Sequence, residues 1–143
     1  MQAVLMAGGL GTRLRPLTAV LPKPLVPIGD ISIMELVLRQ LRVSGFESVI
    51  ISVGYKAELI MAVVGDGSQF GLRVRYHNES RPLGTVGALA SIEDLADNFL
   101  VMNGDICTNL NFSDIYRDHL ANSAEATVST FSRREKIELG VLE

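Results

Sequence analysis

Gln2-Ala3-Val4-Leu5-Met6-Ala7-Gly8-Gly9-Leu10-Gly11-Thr12-Arg13-Leu14 follows the initial Met1, an apolar run that stops at paired glycines. The run is short and ends on turn residues, so it predicts a buried strand at the very start of the fold, entering a tight turn. From Ala7 to Gly29 the chain then carries the four prolines Pro16, Pro22, Pro24 and Pro27. Each removes a backbone donor and restricts φ, which prevents regular helix and interrupts sheet pairing. A shaped loop of that length inside a compact domain is uncommon and usually functional or disordered. Interspersed Leu10, Leu14, Leu17, Val20, Leu21, Leu25 and Val26 argue against disorder.

Outward from this loop the pattern alternates. Met34, Val37, Leu38 and Leu41 fall at i, i+3, i+4 and i+7, with Glu35 and Arg39 as an opposite-charge pair on another face. This spacing predicts an amphipathic helix stopped near Gly45. Ser48 to Val53 is rich in β-branched residues and ends at Gly54, the pattern of a buried strand. A shorter helix is expected from about Ala57 to Val64, halted by Gly65. Leu72 to Tyr76 alternates apolar and basic residues, as a strand nearer the sheet edge would. Val86, Leu89 and Ala90 give another helical stripe, and Phe99 to Met102 forms an apolar strand before Asn103-Gly104-Asp105. Phe112, Ile115, Tyr116 and His119 repeat at helical spacing behind the cap candidate Asn111, and Ala124 to Phe131 alternates like a strand. Strands alternating with helices predict an α/β fold with a doubly wound, mostly parallel sheet, whose ligands bind beyond the carboxyl ends of the strands.

Composition narrows the class. With 143 residues, 48% of them hydrophobic, the chain can bury one sizeable core. No apolar run reaches the roughly 18 to 20 residues a membrane span requires, and no signal-type segment opens the chain, so a soluble, cytoplasmic protein without membrane partners is expected. The single cysteine, Cys107, excludes an intrachain disulfide framework and a multi-thiolate zinc site, and is expected to be a small packing residue. A net charge of −3 argues against nucleic acid as a partner. Yet between Met1 and Gly29 the only charged side chains are Arg13, Arg15 and Lys23, which leaves a basic island of +3 on a remainder of −6.

Glycines after the first strand let backbone N–H groups approach a polyphosphate, and Arg13 adds a fixed fork of donors. Together they favour an anion, most simply a nucleotide; an ordinary glycine-rich turn is the other reading, and the glycines alone would favour it. The P-loop spacing is absent, and Gly9-Leu10-Gly11 lacks the third glycine of the dinucleotide fingerprint. Asp105 stands behind an apolar strand, where a carboxylate can meet a hard cation; a turn aspartate is the other reading of Asn-Gly-Asp. His119 completes a helical stripe as a packing or capping residue, and His77 ends a strand without an assigned role.

Gly8-Gly9-Leu10-Gly11-Thr12-Arg13-Leu14-Arg15-Pro16-Leu17-Thr18 and Pro22-Lys23-Pro24-Leu25 resemble the signature of the sugar-phosphate nucleotidyltransferases, or NDP-sugar pyrophosphorylases. Tyr55, Glu58, Gly65-Asp66-Gly67 and Phe70-Gly71 resemble a second segment of that family, Pro82 to Leu89 a third, and Asn103-Gly104-Asp105 its metal-bearing loop. The resemblance implies a Rossmann-like nucleotidyltransferase domain over residues 1–143. It implies an enzyme that joins the NMP part of an NTP to a sugar 1-phosphate, giving NDP-sugar and pyrophosphate, with Mg²⁺ as cofactor. Leu5, Ala7, Gly8, Gly9, Gly11, Thr12, Arg13, Lys23, Glu79, Gly84 and Asn103 would then bind nucleotide. Of these, Arg13 and Lys23 would be catalytic, Glu79 and Gly84 would lie near the base, and Asp105 would hold the metal.

The sequence departs from that pattern at two places. Ser32 stands where the family often has proline, and the chain stops at Gly140-Val141-Leu142-Glu143. The resemblance therefore implies a domain cut short on its C-terminal side, without the sugar-binding half and a second metal-binding aspartate. A catalytically inactive regulatory or scaffold homologue is the alternative, and Arg13, Lys23 and Asp105 together favour the enzyme. The sequence is compatible with a homo-oligomer.

Overall fold

The computed structural model describes residues 1–79 and 84–132. Pro82 and Leu83 of the third motif and the terminal Gly140 to Glu143 lie outside the described residues. β1 (Gln2–Ala7) pairs in parallel with β4 (Ser48–Val53) on one side and β6 (Leu100–Asn103) on the other, and β5 (Arg73–Asn78) adds to the far side of β4. The order β5-β4-β1-β6 is wholly parallel and puts β5 at an edge, as its alternation predicts. Register aligns Ala3, Leu5 and Ala7 with Val49, Ile51 and Val53, and all six belong to one buried cluster. Period-two alternation sends Val4, Ile50 and Ser52 to the opposite face, where they too are buried. Burial on both faces is the mark of a sheet covered on two sides, and it explains the continuous apolar runs.

Three of the helices match their periodicity. α1 (Ile33–Val43) buries Met34, Val37, Leu38 and Leu41, and α2 (Ala57–Val64) buries Ile60 and Val64, in the same cluster as Phe112 of α4 (Phe112–Ala121). α3 spans Gly84–Ala90 and departs from the expected stripe, since Ala88 is buried whereas Ala90 is exposed. Ser32, in the place of the family's proline, is the N-cap of α1: its hydroxyl accepts from the Glu35 backbone N–H at 3.2 Å. Asn111 caps α4 from Ser113 and Asp114 as its position predicts.

Three expectations change. Ala124 to Phe131 forms no strand; Val128 and Phe131 are 80% and 86% exposed, and no ladder partner lies among the described residues. Alternation supplies a face, but a strand needs neighbours to satisfy its backbone. Cys107 is exposed and does not pack. The proline loop is not wholly without pairing, because β2 (Pro27–Ile28) and β3 (Ile31–Ser32) form a small antiparallel ribbon turning at Gly29. Pro27 opens its strand, a position where a missing N–H does little harm.

Candidate functional site

Parallel strands deliver every chain exit after them to one edge of the sheet. The loop after β1, the turn after β4, the residue after β5 and the loop after β6 therefore meet at the carboxyl edge. Gly8 and Gly54, from adjacent exits, touch: a Cβ on Gly54 would lie 3.2 Å from the Gly8 carbonyl oxygen. Gly11 follows in the left-handed region at φ 60° and starts a single 3-10 turn, Thr12–Leu14, with the Leu14 N–H donating to the Gly11 carbonyl at 3.0 Å. A second such turn, Lys23–Leu25, buries Pro24 and Leu25 and carries Lys23 at its start. Between these turns lies a cavity of about 290 Å³ lined by Gly11, Thr12, Arg13, Leu14 and Lys23.

The Lys23 ammonium crosses to Asp105, with Nζ 2.5 Å from Oδ2. Asp105 is held there because the Gly104 N–H donates to the Met6 carbonyl at 2.9 Å, tying the β6 exit to the end of β1. Gly104 is closely packed, since a Cβ would meet the Met34 Cε of α1 at 2.9 Å and the methionine tip would have to shift. Glu79 enters from the β5 exit. Its N–H donates to the Val53 carbonyl at 2.9 Å, and its Oε1 accepts from the fully buried Ser52 hydroxyl at 2.7 Å. The carboxylate thereby lies directly over Gly8, where a Cβ would be 2.7 Å from Oε1.

The site residues expected from sequence divide in three. Gly8, Gly9, Gly11, Thr12, Arg13, Lys23, Glu79, Asn103 and Asp105 all stand at the carboxyl edge, and Gly84 opens α3, with no atom of the described residues within 4 Å of its missing Cβ. Ala7 is buried at the end of β1, and a Cβ on Gly104 would lie 3.6 Å from its own. Leu5 is fully buried inside β1, two residues before the strand reaches that edge. Among the described residues no three His, Cys, Asp or Glu side chains converge as a ready metal cage. Among the described residues, the two titratable groups with displaced pKa values lie outside these loops, Asp66 in the turn after α2 and Tyr76 within β5. Hydrogen bonds from Ser68 hold the Asp66 carboxyl below its ordinary value. Burial, then the Asp66 charge, pushes the Tyr76 hydroxyl up.

His119 is a packing residue, its ring bridging Thr127 at 2.9 Å and Asn98 at 3.0 Å. His77 contacts the Ser91 hydroxyl at 2.9 Å. Two residues at the site escaped sequence reasoning, Ser52 and Lys56. Ser52 reads as one more strand residue, and its only signal is a hydroxyl at an inward position of a buried run. Lys56 follows Gly54-Tyr55 and has no signal apart from its place at a strand exit.

A glycine loop, two facing basic turns and a carboxylate at the carboxyl edge of a parallel sheet define an α/β protein built to receive an anionic ligand. The family model for nucleotidyl transferases matches residues 2–143, and the chain belongs to that family. It is 37% identical over 128 residues to a mannose-1-phosphate guanylyltransferase of Mycobacterium tuberculosis, covering 88% of this chain and 36% of that protein. It is 34% identical over 143 residues to a UTP–glucose-1-phosphate uridylyltransferase of Synechocystis, covering 91% of this chain and 37% of the relative. Among solved structures, HddC from Yersinia pseudotuberculosis complexed with GMP-PN superposes with a TM-score of 0.71 at 33% identity, over 83% of this chain and 54% of that one. The chain thus spans well under half the length of the curated relatives it matches.

Proposed function

We propose that this chain forms the nucleotide side of a sugar-1-phosphate nucleotidyltransferase that takes a guanine nucleotide. The observation carrying this reading is the cavity between Thr12–Leu14 and Lys23, faced by Arg13 and closed by the Lys23–Asp105 pair. In the reaction an oxygen of the sugar 1-phosphate attacks the α-phosphorus of the NTP in line, the bond to the β-phosphate breaks, and pyrophosphate leaves. Such transfer asks little covalent chemistry of the protein and much positioning and charge stabilisation. Arg13 and Lys23 neutralise the β- and γ-phosphates as charge moves onto the leaving pyrophosphate, and the Gly8 to Gly11 backbone lets the phosphates approach.

Asp105 is suited to a divalent cation, since its carboxylate already faces a positive charge in the Lys23 ammonium. One carboxylate fits Mg²⁺, which keeps waters and fills its octahedron with substrate phosphates. When bound there, Mg²⁺ would neutralise phosphate charge and fix the reacting oxygens. Nucleotide binding then exchanges partners: Lys23 leaves the carboxylate for the phosphates.

Support for guanine comes from Glu79, whose carboxylate is pinned by Ser52 and offers acceptors to the N1–H and 2-amino donors of that base. Two of the relatives above carry a guanylyltransferase name or a guanine nucleotide analogue. We further place the reaction in the cytoplasm, in keeping with a single cysteine and with no helix among the described residues long and apolar enough to cross a membrane. Calorimetry of the 143-residue chain with GTP, ATP, UTP and dTTP in Mg²⁺ tests the reading. GTP is expected to bind about tenfold or more tighter than UTP, with Glu79→Gln narrowing the gap, since each hydrogen bond to a charged acceptor is worth about 1.5–3 kcal/mol. Equal affinity for all four removes Glu79 from base selection, and no binding of any removes the proposal.

A further inference from the structure

The nucleotide loop has very little of the core to hold it. Between Gly8 and Leu21 only Thr18 is buried, while Leu10, Leu17 and Val20 are 56%, 45% and 70% exposed. A loop with so few apolar contacts would sample many conformations, and a polyphosphate binding to it would bear the cost of ordering it. Its local turns close through backbone hydrogen bonds, and side-chain ties link those turns to each other and to the sheet. The Thr18 hydroxyl donates to the Gly11 carbonyl at 2.8 Å, inside the loop. Lys56, from the turn after β4, donates through one ammonium to the Ala19 carbonyl at 2.5 Å and the Val20 carbonyl at 2.8 Å. The same ammonium lies 5.4 Å from the centre of the Tyr55 ring, and the Tyr55 hydroxyl stands 3.5 Å from the Thr18 carbonyl.

The backbone at Lys56 sharpens the point. It occupies the left-handed region, φ 56° and ψ 38°, as the N-cap of α2, where its side chain makes no capping hydrogen bond. Glycine or asparagine suits that position for the fold alone. A lysine there is strained, and what it adds is a long cationic donor that spans to the loop. Strain of this kind at a site, held by surrounding structure, is the pattern of a residue retained for function.

Resting on the reading of the loop as the phosphate cradle, we infer that Lys56 is a positioning residue for the nucleotide. It anchors the outer end of the loop, Thr18 passes that anchor to Gly11, and Gly11 sets the turn carrying Arg13. Lys56 itself touches no substrate; it acts by preordering the loop.

The distinguishing variant is Lys56→Gly, which relieves the backbone strain while removing the donor. Strain relief and the two lost exposed hydrogen bonds offset, so the melting temperature is expected to stay within about 3 °C of the unaltered chain. The Kd for Mg²⁺-GTP and that for inorganic tripolyphosphate should both rise by about five- to tenfold, as lost preorganisation falls on the phosphate side. The ratio of GTP to UTP affinity should not change, because the base contact at Glu79 is elsewhere. Lys56→Arg, which keeps long donors, should bind within about twofold of the unaltered chain, and Lys56→Met should weaken binding as glycine does. Unaltered affinity in both Lys56→Gly and Lys56→Met overturns the inference, as does a loss of affinity that only follows a fall in melting temperature. If the unaltered chain binds neither GTP nor tripolyphosphate, the reading of the loop as a phosphate cradle fails instead.

Discussion

Lys23 and Asp105 make opposite demands on a single perturbation. Their side chains are 37% and 19% exposed, so the pair is open to water and is worth at most about 1 kcal/mol of stability. In a domain of this size that corresponds to a melting shift of only about 2–5 °C. Against phosphates the same ammonium makes charge-assisted hydrogen bonds worth about 1.5–3 kcal/mol, or roughly 10- to 10²-fold in Kd. Lys23→Met is therefore expected to leave the melt nearly unchanged and to weaken Mg²⁺-GTP binding by that factor. It should also release the Asp105 carboxylate, so Mn²⁺ binding without nucleotide, followed by electron paramagnetic resonance, should be equal or tighter. Asp105→Asn keeps a turn-forming side chain and should lose Mn²⁺ binding while retaining the fold. Calorimetry, melting and the Mn²⁺ signal on the three chains separate the effects. Unchanged GTP affinity in Lys23→Met, or weaker Mn²⁺ binding in that variant, would refute the exchange of partners. Where pyrophosphate release is assayed with sugar 1-phosphate, Lys23→Ala or Arg13→Ala should cost about 10²-fold or more in rate, the scale of removing preorganised charge.

Two glycines separate site from scaffold. Gly8→Ala would place a Cβ 2.7 Å from Glu79 Oε1, the far end of a side chain that can swing away, so the melt should hold while preference for GTP over UTP falls. Retained preference, measured as the ratio of the two Kd values, would show that the carboxylate does not read the base. Gly67 has φ 84°, and its Cβ would collide with the Val74 side chain and lie 2.9 Å from the Leu72 carbonyl, neither of which can swing aside. Gly67→Ala should cost about 2–4 kcal/mol in denaturant unfolding, combining left-handed strain with overpacking, and leave the nucleotide affinity of the folded fraction unchanged; an unmoved midpoint would contradict the packing described for this turn.

Much of this protein is legible in local pattern. A short apolar run ending at Gly8-Gly9 is a strand because nothing else buries such a run and then turns, and the i, i+3, i+4 spacing of Met34 to Leu41 leaves one helix face for the core. Strands alternating with helices then imply a parallel sheet, whose exits share one edge. Arg13, Lys23, Glu79 and Asp105 are brought to that edge by the topology, whereas the expectation that Glu79 and Lys23 share one site came from the resemblance to a family. The failures have the same origin. Ala124 to Phe131 alternates as a strand does, but ladder partners are a property of the fold, and the described residues supply none. Ser52 and Lys56 carry no local signature, because their roles lie in the partners that other exits bring to them: Glu79 across 27 residues of sequence, Ala19 and Val20 across 37 and 36. Periodicity and turn chemistry act over a few residues and are written in the sequence. Which hydroxyl pins a carboxylate, which lysine spends a strained backbone on a distant loop, and which ammonium meets Asp105 are decided where the exits meet in space.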